Sequence, residues 1–235
     1  MPHKNAPASH LTAGMSLAAA SLALAAIFFG LWWGMRRNAP KVESAAPFGE
    51  GPAQMASRAG ILTALAGEPA PGWTLLGQNG TKVSLSQFRG RAVIFMPVDP
   101  ACTSVCPVVA SEMRQADRIL GGPSRHVAIV GFNVNPYWTS VAAIRKFDRE
   151  NHLTSLPNWY FVTGSAKSLI SLWQHYHIWV EPLPAKRAVY HASYLYFIGP
   201  HGRERWLLGG SSDKSLASSY SVLAAEIVRS LLERG

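Results

Sequence analysis

The chain has 235 residues, 48% of them hydrophobic, and only two cysteines, so it can fill a sizeable core without the disulfide framework that small secreted scaffolds need. Its formal charge of +9 favours anionic contacts, yet the longest basic clusters are the pairs Arg36-Arg37, Arg145-Lys146 and Lys186-Arg187. That excludes the basic runs of nucleic-acid binders and leaves lipid or an acidic protein as the anionic partner, or a surplus that serves solubility alone.

No charged residue occurs from Leu11 to Met35. The stretch 15–35, MSLAAASLALAAIFFGLWWGM, has about 21 residues and as a helix spans roughly 30 Å, one bilayer core. Trp32 and Trp33 followed by Arg36 and Arg37 suit a membrane interface, and FFGLWWGMRR is a poor cleavage context for a signal peptide. The expectation is therefore an N-terminal tail (1–14), a transmembrane helix (15–35), a linker (36–64) and a folded domain (65–235). Lys4 on one side against Arg36, Arg37 and Lys41 on the other would by itself leave that domain in the cytoplasm. The linker is rich in Ala, Pro and Gly and is expected to hold at most a short helix around Met55 to Leu65.

Within the domain, Asn79-Gly80 lies between two short apolar segments, a hairpin signal. RAVIFMPV (91–98) is a continuous apolar run of the kind buried on both faces of a sheet, and both cysteines follow it directly in ACTSVCP. The pattern then predicts a helix from Pro107, a strand over 126–134, a helix over 140–152, a strand over 156–164 and a helix over 165–178. A proline-rich loop leads to a hairpin (193–210) turning at Gly199 to Gly202, and a final helix runs from Ser212 to about Leu232. Alternating strands and helices predict an α/β fold, a central mixed sheet with helices on both faces. The cysteine loop then falls at the carboxyl end of a central strand, where open α/β sheets place their sites.

Cys102 and Cys106 are four apart. If the helix begins within their loop, both sulfurs share a face about one turn apart, close enough for a disulfide or for two bonds to one metal ion. A helix N-terminus there lowers thiol pKa and increases the thiolate fraction that either chemistry uses. Two thiolates and one imidazole suit Cu(I), whereas a closed zinc site would want four protein ligands. His191 is the leading histidine, since it lies in a loop just ahead of a strand. His126 is expected near a far edge, His175 and His177 do not share a helix face, and His3 and His10 belong to the tail.

These residues resemble the Sco/SenC family, membrane-anchored thioredoxin-like domains concerned with cytochrome c oxidase synthesis. The resemblance covers most of 68–232 and rests on SLSQFRGRAVIFM, on CTSVCP as Cys-x-x-x-Cys-Pro, and on HASYLYFIGPHG as the histidine-bearing segment. It implies copper, as Cu(I) with Cu(II) also open, held by Cys102, Cys106 and His191. It also implies delivery to the binuclear copper centre of cytochrome c oxidase subunit II or a related copper protein, or reduction of that subunit's cysteines through Cys102 and Cys106 as a redox dithiol. The implied setting is the bacterial inner membrane with the domain facing the periplasm, ahead of the mitochondrial inner membrane, and with other copper chaperones as further partners and no nucleic acid. A metallochaperone is the leading reading over a thiol-disulfide reductase, and a peroxidase ranks low because Asp99-Pro100-Ala101 replace a Thr-x-x-Cys context. Two departures mark a divergent member. PVDPA stands where an aromatic, polar stretch is usual, and NPYWTS stands for Asp-Pro-Glu-Arg-Asp, with Asn135 in the leading acidic position, which predicts loss of an outer-shell carboxylate.

Overall fold

The structure, a computed structural model, describes residues 52–209 and 220–234. The apolar span 15–35, the tail before it and the expected start of the last helix at Ser212 lie outside these residues. Among the described residues no helix is long and apolar enough to cross a membrane.

The chain begins with α1 (Pro52–Arg58) and β1 (Leu62–Ala64), followed by the hairpin β2 (Thr74–Gly77) and β3 (Lys82–Ser84). Asn79 and Gly80 make its turn: Gly80 takes φ +85°, and Asn79 Oδ1 accepts from the Thr81 amide at 3.0 Å, the αL tolerance that an Asn-Gly turn exploits. The centre is β4 (Ala92–Val98), α2 (Val105–Leu120), β5 (Val127–Asn133), α3 (Val141–Glu150), β6 (Trp159–Thr163) and α4 (Ala166–His175). The chain closes with the hairpin β7 (Val180–Leu183) and β8 (Ala188–His191), the hairpin β9 (Leu195–Ile198) and β10 (Glu204–Leu208), and α5 (Tyr220–Arg234).

Eight strands form one mixed sheet in the order β1-β10-β9-β4-β5-β6-β2-β3, and β7-β8 stand apart as a second small sheet. β4 pairs in parallel with β5, and β5 with β6; the other pairings are antiparallel. Every residue of β4 and β5 is buried, because helices cover both faces and a central strand then has no solvent side. Ile94, Met96 and Val98 pack with Ala53, Met113, Phe147, Leu223 and Ile227 from α1, α2, α3 and α5 on one face. Val93 and Phe95 pack with Leu169 and Trp173 of α4 on the other.

Two boundaries differ from the sequence reading. Ala53 and Ala56 are fully buried and β1 pairs with β10, so the folded body begins before residue 65, inside the stretch read as linker; small alanines let α1 lie close against α5. The proline-rich loop ahead of His191 is a β-hairpin, Val180 opposite His191 and Leu183 opposite Ala188. Pro182 is tolerated because a two-stranded ribbon leaves one strand side free of ladder bonds.

Candidate metal and thiol centre

Cys102 and Cys106 follow the carboxyl end of β4. Helix α2 begins at Val105 with Ser104 as N-cap, so Cys102 lies in the loop before the helix and does not share a helix face with Cys106, as the spacing had suggested. The loop folds back instead: the Cys102 amide donates to Asp99 O at 3.0 Å, and the Cys106 amide donates to Cys102 Sγ at 3.4 Å. One first-turn amide of α2 thus points at a sulfur, as helix N-termini do at anions.

Both thiols are free, Cys102 half-buried and Cys106 buried with 3% exposure. Hydrogen bonds from Cys106, with those from Ser104, hold the Cys102 thiol well below its ordinary range. The same contact, together with burial, pushes Cys106 up. These opposite shifts favour negative charge on the more exposed sulfur, Cys102.

His191 closes β8 and brings Nε2 to 3.8 Å from Cys106 Sγ. Its Nδ1 lies 2.9 Å from Ala192 O. A carbonyl only accepts, so Nδ1 carries a proton, which leaves Nε2 as the ring nitrogen turned to the sulfur and free to bond a metal from the neutral imidazole. A small cleft between α2 and β9 exposes this contact and is walled by Pro97, Val105, Val109 and Tyr194. The structure therefore brings His191 to Cys106, and Cys106 to Cys102. Among the described residues no three His, Cys, Asp or Glu side chains are already gathered on one point. The 3.8 Å separation nevertheless fits one ion bonded to both atoms, given metal–sulfur and metal–nitrogen bonds of about 2.3 and about 2.0 Å. The other histidines stay away: His126 is exposed at the start of central β5, rather than near an edge strand, and His175 Nδ1 is engaged by Ser171 O at 2.7 Å.

A buried network beneath the cysteines has a partial sequence signal in the two departures from the family pattern. Asp99 is buried with 6% exposure, and its Oδ1 accepts from the Ala101 amide at 2.8 Å and from Asn135 Nδ2 at 3.0 Å. Asn135 Nδ2 also donates to Arg187 O at 3.2 Å, and Trp138 Nε1 donates to the same carbonyl at 3.1 Å. The Arg187 guanidinium lies 5.0 Å from the Trp138 ring centroid and donates to Tyr137 O at 3.1 Å. The Asp99 carboxyl group, supplied by PVDPA, thus lies under the site, and Asn135 is its donor. Burial raises the Asp99 pKa, against the lowering effect of its hydrogen bonds. The network ties the cysteine loop to the hairpin that carries His191.

Fold and site together define a mixed α/β thioredoxin-like domain with a dithiol and a histidine at the end of a central strand. The model of the SCO1/SenC family matches residues 64–221, and the chain belongs to that family. The SCO1 protein homolog of Bacillus subtilis is 27% identical over 133 residues, which cover 56% of this chain and 68% of that protein. Among solved structures, ScoI of Bradyrhizobium japonicum with copper bound superposes with TM-score 0.55 at 17% identity, over 66% of this chain and 99% of that one. BsSco, a member of the Sco family of cytochrome c oxidase assembly proteins in which a disulfide switch was identified, gives 0.54 at 23% identity, over 69% and 96%.

Proposed function

We propose that this protein is a membrane-anchored copper chaperone, with Cys102, Cys106 and His191 holding copper as cargo for the binuclear centre of cytochrome c oxidase subunit II or a related copper protein. The observation that carries the reading is His191 Nε2 facing Cys106 Sγ at 3.8 Å, with Cys102 one hydrogen bond away. Two soft thiolates and an imidazole favour Cu(I). Cys102 stands in irregular chain and can swing to complete a three-coordinate set, and release proceeds by ligand exchange with the recipient's thiolates. Copper in the relative from Bradyrhizobium japonicum supports the assignment. Segment 15–35 serves as the anchor, and the domain faces the periplasm from the bacterial inner membrane.

The test is copper stoichiometry on the purified full chain in neutral detergent. One Cu(I) per reduced chain is expected. Cys102→Ala, Cys106→Ala and His191→Ala should each weaken binding by more than the about 10- to 100-fold that losing an outer partner costs. Unchanged Cu(I) affinity in His191→Ala would overturn the three-ligand site.

A second reading, thiol-disulfide reduction of a partner, is favoured by the asymmetry of the pair, an accessible Cys102 over a buried Cys106. The Cys102 thiolate would attack a partner disulfide and expel one thiolate. Cys106 would then attack the mixed disulfide and release the second, two electrons passing to the partner and a 102–106 disulfide remaining, to be reduced by an external dithiol. This path needs both cysteines and not His191, so the histidine variant separates the two readings.

A further inference from the structure

The hairpin β7-β8 that ends in His191 shares no ladder with the main sheet, and a two-stranded ribbon by itself is marginally stable. Its place over Cys106 is therefore set by what fastens it to the body. Near its base, Val180 and Val189 pack against the core cluster that includes Phe95 and Trp173, and the Ala192 amide donates to Trp179 O at 3.0 Å. The tip is fastened separately.

Arg187 closes the turn at the tip in the left-handed conformation, with φ +49°, which a non-glycine residue keeps only where its surroundings over-determine it. Those surroundings are the loop 135–138. Arg187 O accepts from Asn135 Nδ2 at 3.2 Å and from Trp138 Nε1 at 3.1 Å, so both lone pairs of the carbonyl are engaged. The side chain grips the same loop: its guanidinium lies 5.0 Å from the Trp138 ring centroid and donates to Tyr137 O at 3.1 Å. All of these contacts converge on one exposed residue.

Asn135 carries the fastening inward. It is wholly buried, its Oδ1 accepts from the Tyr137 amide at 2.9 Å, and Nδ2 also donates to Asp99 Oδ1 at 3.0 Å. Asp99 O accepts from the Cys102 amide at 3.0 Å, so a continuous path of hydrogen bonds runs from the cysteine loop to the tip of the hairpin. A carbonyl on one side and an amide on the other fix which way the Asn135 side chain points, and an aspartate there could not donate to Arg187 O.

We propose that Asn135, Trp138 and Arg187 form a latch that keeps the hairpin seated with His191 over Cys106, and that opening of the latch sets how fast copper leaves. They are positioning residues, and their role in release rests on the assignment of copper to Cys102, Cys106 and His191. The first test is amide hydrogen exchange on the copper-free full chain in neutral detergent. Trp138→Phe keeps an aromatic face for Arg187 and removes only the indole donor, whereas Asn135→Ala removes both amide donors. In Trp138→Phe the amides of 188–192 should exchange about 2- to 10-fold faster, the loss of one net hydrogen bond, and in Asn135→Ala faster still. Amides of β4 and β5 should exchange as in the wild type, which reports that the core is folded. Trp138 is 40% exposed, so Trp138→Phe decides by itself if Asn135→Ala unfolds.

The second test mixes the reduced, Cu(I)-loaded chain with a chromogenic Cu(I) chelator. Release should quicken by about 10- to 100-fold in Asn135→Ala, the range for loss of an outer partner, and by less in Trp138→Phe. In a His191→Ala background Trp138→Phe should add no further acceleration, because a latch that acts through His191 then has nothing to position; a merely structural residue would add its effect in either background. Unchanged hairpin exchange, unchanged release or additive acceleration overturns the latch and leaves the copper site standing. A wild-type chain that binds no Cu(I) overturns the copper assignment and, with it, the latch's role in release.

Discussion

Asp148 is a charged residue type at a core position, on α3 with 3% exposure. Its Oδ1 accepts from Trp159 Nε1 at 2.8 Å, yet burial prevails over that bond and pushes the carboxyl up to about 7. An unfolded carboxyl titrates near about 3.9, so between these values the native state holds a proton that the unfolded chain releases. The stabilising contribution is complete below the unfolded value and is lost as pH rises through the folded one. We expect the urea midpoint to fall between about pH 5 and about pH 8, and to fall less in Asp148→Asn, whose amide oxygen still accepts from Trp159. Equal falls in the two proteins would place the proton on another group. Asp99 and Asn135 carry the corresponding lesson at the site. Each departs from the family pattern and could be singled out in the sequence, but their mutual hydrogen bond could not, because they lie 36 positions apart and meet only across adjacent parallel strands.

The elements that sequence periodicity located best are those whose environment is uniform. β4 and β5 are apolar throughout because both faces are covered, and α3 and α4 begin at Ser140 and Ser165, whose side chains accept from Ala143 and Ser168 amides. The β7-β8 hairpin was invisible because EPLPAKRAVY has no apolar period and two prolines, so nothing local marks His191 as the end of a strand. Within β5, Gly131 is required by packing. A Cβ there would lie 2.8 Å from Trp159 Cη2 and 3.2 Å from Val98 Cγ2. The Trp159 ring is pinned by Asp148 and cannot withdraw freely. Gly131→Ala is therefore expected to cost about 1–3 kcal/mol, the range for overpacking a filled core. Urea unfolding checks it, and an unchanged midpoint would mean that the indole repacks without cost.

For the whole molecule, part of the positive charge is concentrated at one place. Arg89, Arg203, Arg205 and Arg234 gather at the end of the sheet remote from the dithiol, although the sequence contains no basic run at all. For the orientation of the whole chain, the charge count around segment 15–35 favours the cytoplasm, whereas the setting proposed for the domain is the periplasm. A reporter that is active only outside the cytoplasm, fused to the C-terminus, is expected to be active. Activity of a cytoplasmic reporter at the same position would reverse the orientation.

The sequence by itself determined the order of the central strands and helices, the Asn-Gly turn and the place of Cys102 and Cys106 after a buried strand, because each depends on spacing along a short stretch of chain. Only the tertiary structure decided which nitrogen of His191 faces Cys106, which loop supplies the carboxyl group beneath the cysteines, and that scattered arginines gather at one end of the sheet. Those are contacts between residues tens of positions apart, and they follow from strand pairing that no local pattern encodes.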